Sequence, residues 1–268
     1  MILRPLRPPA ASSEIVPAWN AVAATQQQDS SAWWLIAQPD HAALAGSLAA
    51  HFTPRDFPVL DREAVRAISL HDSGWAAFDG GGEAGGGKGA APPPPRNSAG
   101  RPLSFLDASV AVFIQAWTAS IDCAEARAGS VGGLIVSGHF RRLAENRLNT
   151  AGDLPEDAAS IHAFLENQRQ RDEARFRRQP RSSADVERLI DVLQFCDLLS
   201  LYLCCGSLAS VQFQQLIGTR PTVLRREGAL CVLEPSPFHE PVSLGVPARR
   251  EPVSRDEPNA RDLPVLIR

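Results

Sequence analysis

The chain has 268 residues, 44% of them apolar, with a formal net charge of −3 and a pI near 6.1. That is enough apolar material for one sizeable core, and the mild acidity argues against a general nucleic-acid-binding surface. No charge-free apolar run is long enough to span a bilayer, and the proline-containing start lacks the apolar stretch of a secretory signal.

Ile2 to Leu6 is a short strand, followed by a polar segment through Gln26-Gln27-Gln28-Asp29-Ser30-Ser31. Ala32-Trp33-Trp34-Leu35-Ile36-Ala37 is a buried strand. It leads through Pro39 and Asp40, both suited to a helix start, into a helix carrying His41, Leu44 and Leu48. A second helix opens near Leu60, with Ala64, Ala67, Ile68 and His71 on its inward face. Residues 80–100 form a Gly/Pro-rich flexible surface loop. Helices are then predicted from Leu106 to Ala126, from Ser130 to Asn146, and from Pro155 to before Pro180. The most apolar helix runs from Val186 to Leu203, capped by Ser182-Ser183-Ala184-Asp185. Thr222–Leu224, Ala229–Leu233 and Val242–Leu244 read as short strands. The expectation is a mainly α, single domain over 1–268, with a small sheet built from strand-forming segments at 1–37 and 219–268.

Chemistry concentrates in His71-Asp72-Ser73-Gly74, two adjacent metal-competent side chains in a helical, apolar stretch. His41 lies upstream; His139 and Asp197 lie downstream, each in an apolar helical pattern. Asp197 interrupts Leu193-Gln194-Phe195-Cys196-Asp197-Leu198-Leu199. An unpaired carboxylate there costs several kcal/mol, so something cationic must neutralise it. An arginine would do so; a metal would also account for the histidines. Imidazole and carboxylate donors suit Fe, Mn, Zn or Co, as one or two ions.

The order His41, His71-Asp72, Asp197 resembles the HD superfamily of metal-dependent phosphohydrolases, in which His-Asp-x-Gly is typical. More narrowly, five segments resemble a bacterial family known only as a domain of unknown function. They are Trp33–His41, His71–Trp75, Gly100–Phe105, Val136–Phe140 and Asp197–Cys204. The resemblance implies an HD-like multi-helix domain with His41, His71, Asp72 and Asp197 as metal ligands. His139 corresponds to an additional histidine of members with larger ligand sets, and Asp72 and His139 are the expected catalytic residues. A metal-activated water would attack a phosphoester or nucleotide-like small molecule. One departure stands out: Trp75 follows the motif where many HD hydrolases carry a lysine, leaving Arg101, Arg141 or Arg142 to bind a phosphate. Two rivals remain open, a metal-binding or degenerate sensory module and an iron-dependent oxygenase.

Other features have plainer readings. His51 and His239 are ordinary polar positions, and His162 lies on a charged, solvated helix. Gly82 to Gly89 lacks the Ser or Thr and the following helix of a phosphate-binding loop. Arg169, Arg171, Arg175, Arg177, Arg178 and Arg181 alternate with acids, as on a salt-bridged exposed helix. Trp75 either belongs to the core or walls the metal cavity. Cys123, Cys196, Cys204, Cys205 and Cys231 fit no disulfide or zinc pattern and read as reduced thiols of a cytoplasmic protein. The expected partner is a small-molecule substrate, with neither nucleic acid nor membrane.

Overall fold

The computed structural model describes residues 1–8, 14–53, 60–79, 93–150, 152–217, 220–254 and 258–268. The phosphate-loop-like glycines and residues 80–92 of the Gly/Pro-rich loop lie outside the described residues.

Six helices and one eight-stranded sheet make up the described chain. In order they are β1 (Ile2–Pro5), β2 (Ile15–Pro17), α1 (Ala18–Gln27), β3 (Trp33–Ile36), α2 (Gln38–Ala49), α3 (Arg62–Leu70), α4 (Val110–Thr150), α5 (Pro155–Phe176), α6 (Ser183–Cys205), β4 (Ser210–Ile217), β5 (Arg220–Glu227), β6 (Leu230–Glu234), β7 (Val242–Glu251) and β8 (Ala260–Ile267). A 3-10 turn, Ser73–Ala77, follows α3.

The expectation of a mainly α fold with a small sheet is overturned. Helix accounts for 53% and strand for 22%, an α/β fold whose eight strands include a ten-residue β7 and an eight-residue β8. A reading for apolar runs finds only the start of β7, at Val242–Leu244, and misses β8, because both strands alternate. In β7, Val242, Val246 and Ala248 face inward, as do Leu263, Val265 and Ile267 in β8, with exposed residues between. The polar stretch after the first strand holds β2 and α1 as well. The alanines of Ala18-Trp19-Asn20-Ala21-Val22-Ala23-Ala24 are the helix signal there.

The strand order is β1-β3-β7-β8-β6-β5-β4-β2, with β2–β4 and β6–β8 parallel and the other pairs antiparallel. Both outer strands, β1 and β2, contact α1, so the sheet curls until its two edges meet one helix. Gln26 on that helix acts as a surrogate strand. Its Nε2 donates to Leu3 O and its Oε1 accepts from Leu3 N, both at 2.8 Å, blocking the β1 edge.

α6 runs through the centre, touching α1, α2, α3, α4, β1 and β4. Its second half, from Val192 to Cys205, is almost wholly apolar and enclosed, while the first half keeps an exposed charged face with Asp185, Glu187, Arg188 and Asp191. One core cluster joins its Leu193, Phe195, Leu199 and Tyr202 to Phe213, Leu224 and Val246 of the sheet. α4 is broken at Ala128 and Gly129, where the expected division into two helices falls.

α5 is salt-bridged to α4 through Arg171–Asp122, Arg178–Glu125 and Arg169–Glu145. The expected exposed helix needs one correction: Arg175 is buried, held by Asp172 at 2.7 Å and Glu125 at 2.8 Å, and Asp172 is buried with it. A buried guanidinium is tolerated because carboxylates on two sides replace its water.

Candidate metal centre

His41 lies in the first turn of α2, directly after β3, whose Trp34, Leu35 and Ile36 anchor the helix start. His71 and Asp72 do not sit within a helix as expected. α3 ends at Leu70, His71 is its C-cap, and Asp72 begins the 3-10 turn with φ −112° and ψ 20°. The reason is geometric. Adjacent residues on a helix point about 100° apart, so both side chains reach one point only if the backbone breaks between them.

Gly74 makes that break fit. A Cβ there would lie 2.1 Å from Ala116 O and 2.7 Å from Ser120 N, so only glycine lets the turn press against α4. Gly74 N donates to Ser120 Oγ at 2.9 Å, fixing the turn on that helix. Asp197 and Ser200 come from the middle of α6, and His139 from the second half of α4.

His41, His71, Asp72 and Asp197 each offer a ligand atom, and these atoms lie within 4.8 Å of one another. This buried group could bind a metal ion. His41 Nε2 is 2.8 Å from Asp72 Oδ2, and His71 Nε2 is 3.3 Å from Asp197 Oδ1 and 3.8 Å from Asp72 Oδ2. His139 stands at the edge of the group, with Nε2 3.7 Å from Asp197 Oδ2 and its ring edge-on to His71. Both imidazoles of the central pair are fully enclosed, while Asp72 and Asp197 retain 9% and 14% side-chain exposure, so the carboxylates form the open side.

Counting protons shows what the group lacks. His71 Nδ1 lies 2.7 Å from Ile68 O, an acceptor only, so Nδ1 carries the proton and Nε2 presents a lone pair. The Ser200 hydroxyl donates to Asp197 O at 2.9 Å, leaving its oxygen to accept from His41 Nδ1 at 2.9 Å. His41 Nε2 therefore also presents a lone pair. Each neutral imidazole thus aims a lone pair at a carboxylate oxygen, an arrangement stable only with a proton or a metal cation between them. Backbone carbonyl and hydroxyl partners at Nδ1 are the usual means of orienting histidine ligands.

The electrostatics agree. Burial by itself depresses the His71 imidazole, but Asp72 and then Asp197 overcome it and lift it to about 9. Burial raises Asp197, yet the hydrogen bond and charge of His71 hold it down at about 2. Burial dominates at His139 and lowers it to about 4, so it is neutral at pH 7, and among the described residues its Nδ1 has no hydrogen-bond partner.

Asp197 faces His71 at 3.3 Å and His139 at 3.7 Å, and among the described residues no arginine pairs with it. The three arginines considered for phosphate are all engaged: Arg101 with Asp107 and Gln26 O, Arg141 with Asp172, and Arg142 with Glu187 and Asp191. Trp75 is buried among Phe78 and Phe113 as core. His51, His162 and His239 are exposed. Ser200 escapes sequence reasoning, although its place one turn beyond Asp197 on the same helix face is a usable signal. Ile68 O could not have been found, since a backbone carbonyl leaves no mark on residue identity.

A family model described as "Protein of unknown function (DUF3891)" matches residues 25–251. The chain belongs to the DUF3891 family. The matched range contains all four residues of the metal-competent group and His139, so in this DUF3891 member the site lies inside the family's common region. Comparison with curated proteins and with solved structures found no match. Among the described residues no helix is long and apolar enough to cross a membrane, and all five cysteines are free thiols.

Proposed function

We propose that this protein is a metal-dependent hydrolase of a phosphoester or nucleotide-like small molecule, acting through an HD-type site. The single observation that carries the reading is the pair of imidazole lone pairs directed at two carboxylates, His41 at Asp72 and His71 at Asp197. The His…His-Asp…Asp order of the HD resemblance supports it. The donor set suits Fe, Mn, Zn or Co, and His41, His71, Asp72 and Asp197 would hold one ion, or two with Asp72 shared. When bound, such a cation lowers the pKa of water toward neutrality and polarises the scissile group. His139, with Nε2 3.7 Å from Asp197 Oδ2, would stand beside the carboxylates as a further donor or proton-handling group.

Elemental analysis of purified wild type and a His71→Ala/Asp72→Ala variant tests metal binding, and a Mn-supplemented panel of phosphate monoesters, diesters and nucleotides tests hydrolysis. Equal, negligible metal in both proteins removes the site. Metal without turnover on any phosphoester removes the hydrolase.

A second reading has one observation in its favour. With Arg101, Arg141 and Arg142 bound to carboxylates, none of the three is left to take a phosphate beside the ligands. Two histidines and a carboxylate are also a donor set for iron oxygenases, and a binding module needs no phosphate cation at all. Oxygen consumption by the iron-loaded protein would distinguish the oxygenase.

A further inference from the structure

At the far end of α6 from Ser182, three arginines converge without an acidic partner among the described residues. Helix α6 ends at Gly206, which takes φ +67° and lets the chain turn. The Arg4 guanidinium lies against that turn, so close that a Cβ on Gly206 would be 2.6 Å from Arg4 Nε and 3.0 Å from its Cζ. Arg226, from β5, donates through Nε to Ser207 O at 2.9 Å, on the next residue of the same turn. Arg261, from β8, lies over Trp34 with Cζ 4.5 Å from the ring centroid, and Trp34 is the cross-strand partner of Arg4. The curled sheet thereby brings β1, β5 and β8 to one mouth. Arg4 and Arg226 are partly buried there and Arg261 is exposed.

No carboxylate forms an ion pair with Arg4, Arg226 or Arg261 among the described residues, whereas Arg96, Arg101, Arg141, Arg142, Arg147 and Arg175 all have one. The neighbouring thiols supply no charge, because burial pushes Cys204 well above its ordinary value and Cys205 to about 12. Burial, then the adjacent Arg226 and Arg261, lowers Arg4 below the usual arginine range. Folding has thus gathered like charges around the end of α6, with Arg226 held by neutral partners, Ser207 O and the Tyr202 hydroxyl, a configuration suited to a tetrahedral oxyanion, which guanidinium groups bind in pairs.

We propose that Arg4, Arg226 and Arg261 form an anion site at the mouth of the curled sheet that binds a phosphoryl group, either free phosphate or the phosphate of a small monoester. The site is separate from the metal-competent group. Gly206 lies nine residues beyond Asp197 along α6, about 13 Å at ~1.5 Å per residue. A phosphoryl group here touches none of the four ligand residues, so the proposal stands whether or not the centre hydrolyses anything.

The test uses full-length protein freed of metal by chelation, so that phosphate cannot bind through an ion at the other site. Calorimetric titration and thermal melts are run with inorganic phosphate and glycerol 2-phosphate, against sodium chloride at equal ionic strength. Wild type is expected to bind and melt higher in phosphate than in chloride. Arg4→Gln and Arg261→Gln should each weaken binding by roughly tenfold or more, while Asp197→Asn should leave it unchanged. Tighter binding of the ester than of free phosphate identifies a phosphorylated metabolite as the ligand; equal binding identifies phosphate itself. In phosphate-free buffer Arg4→Gln should melt no lower than wild type, because it removes a half-buried cation that has no carboxylate partner among the described residues. A purely structural arginine would give the opposite sign. The proposal fails if phosphate raises the melting temperature no more than chloride does, or if Arg261→Gln, the exposed and structurally least demanding change, responds like wild type.

Discussion

Replacing Asp197 by asparagine keeps shape and volume but removes the charge facing His71, and its effect should depend on pH in a defined direction. His71 rises from 6.5 to about 9 on folding, a preference worth about 3 kcal/mol at ~1.4 kcal/mol per pKa unit. Asp72 is the largest single cause of the rise and remains in the variant, while Asp197 acts through both a hydrogen bond and its charge, so the part lost with Asp197 is about 1–2 kcal/mol. A histidine raised on folding stabilises fully below its unfolded value and loses that contribution as pH rises through the folded one. The metal-free variant should therefore be about 1–2 kcal/mol less stable than wild type at pH 6, with the gap closing toward zero by pH 10. Urea unfolding with chelator present, at pH 6, 8 and 10, measures this. Saturating Mn probes the same pair from the other side: a metal at a hundredfold excess over its Kd stabilises wild type by about 2.7 kcal/mol, and the variant should gain far less. A stability gap that does not change with pH, together with equal Mn stabilisation of both proteins, would refute the view that Asp197 and His71 face each other across a cation site.

Three further outcomes follow from the same geometry. Gly74→Ala should destabilise by about 3 kcal/mol or more and abolish metal uptake, because its methyl would meet Ala116 O at 2.1 Å and the backbone must move; a well-folded, metal-loaded alanine variant would contradict the packing of the turn on α4. Ser200→Ala should leave the fold intact but weaken metal affinity about 10-fold, as loss of a partner that orients a histidine ligand does, and competition with a chelating dye reads this directly. His139 is lowered on folding from 6.5 to about 4, so wild type loses up to about 3 kcal/mol as pH falls across that window, when the unfolded chain takes up a proton that the folded one refuses. His139→Asn should flatten this acid limb in metal-free protein, and an unchanged slope between pH 6.5 and 4 would show that His139 is not buried in its neutral form.

The helices that carry the ligands are legible because their apolar spacing is strong. The start of α6 is legible too, since Ser182 accepts from Asp185 N as a serine ahead of an apolar run should. Asp197 announces itself as a carboxylate in an apolar run, and His41 as a histidine just after a buried strand. The strands of the C-terminal third are less legible. Their inward residues alternate with exposed arginines, glutamates and prolines, and a half-buried strand gives a short, weak signal beside a helix like α6. The buried state of Arg175 is invisible for a different reason: its partners Glu125 and Asp172 come from two helices, and only their docking excludes water.

The linear order of residues determined which donors were available, namely two histidines, two aspartates and a third histidine, each set in apolar surroundings where an uncompensated polar group is costly. It did not determine that they meet. That depends on the break after Leu70, on the close approach of Gly74 to α4, and on α6 passing through the middle of the molecule. The mouth with its three arginines was still further from view, because Arg4, Arg226 and Arg261 become neighbours only when the sheet curls. Local patterning reflects which face of an element is buried; it carries no record of which distant element will cover that face, and a site assembled from four remote stretches exists only once packing has chosen among them.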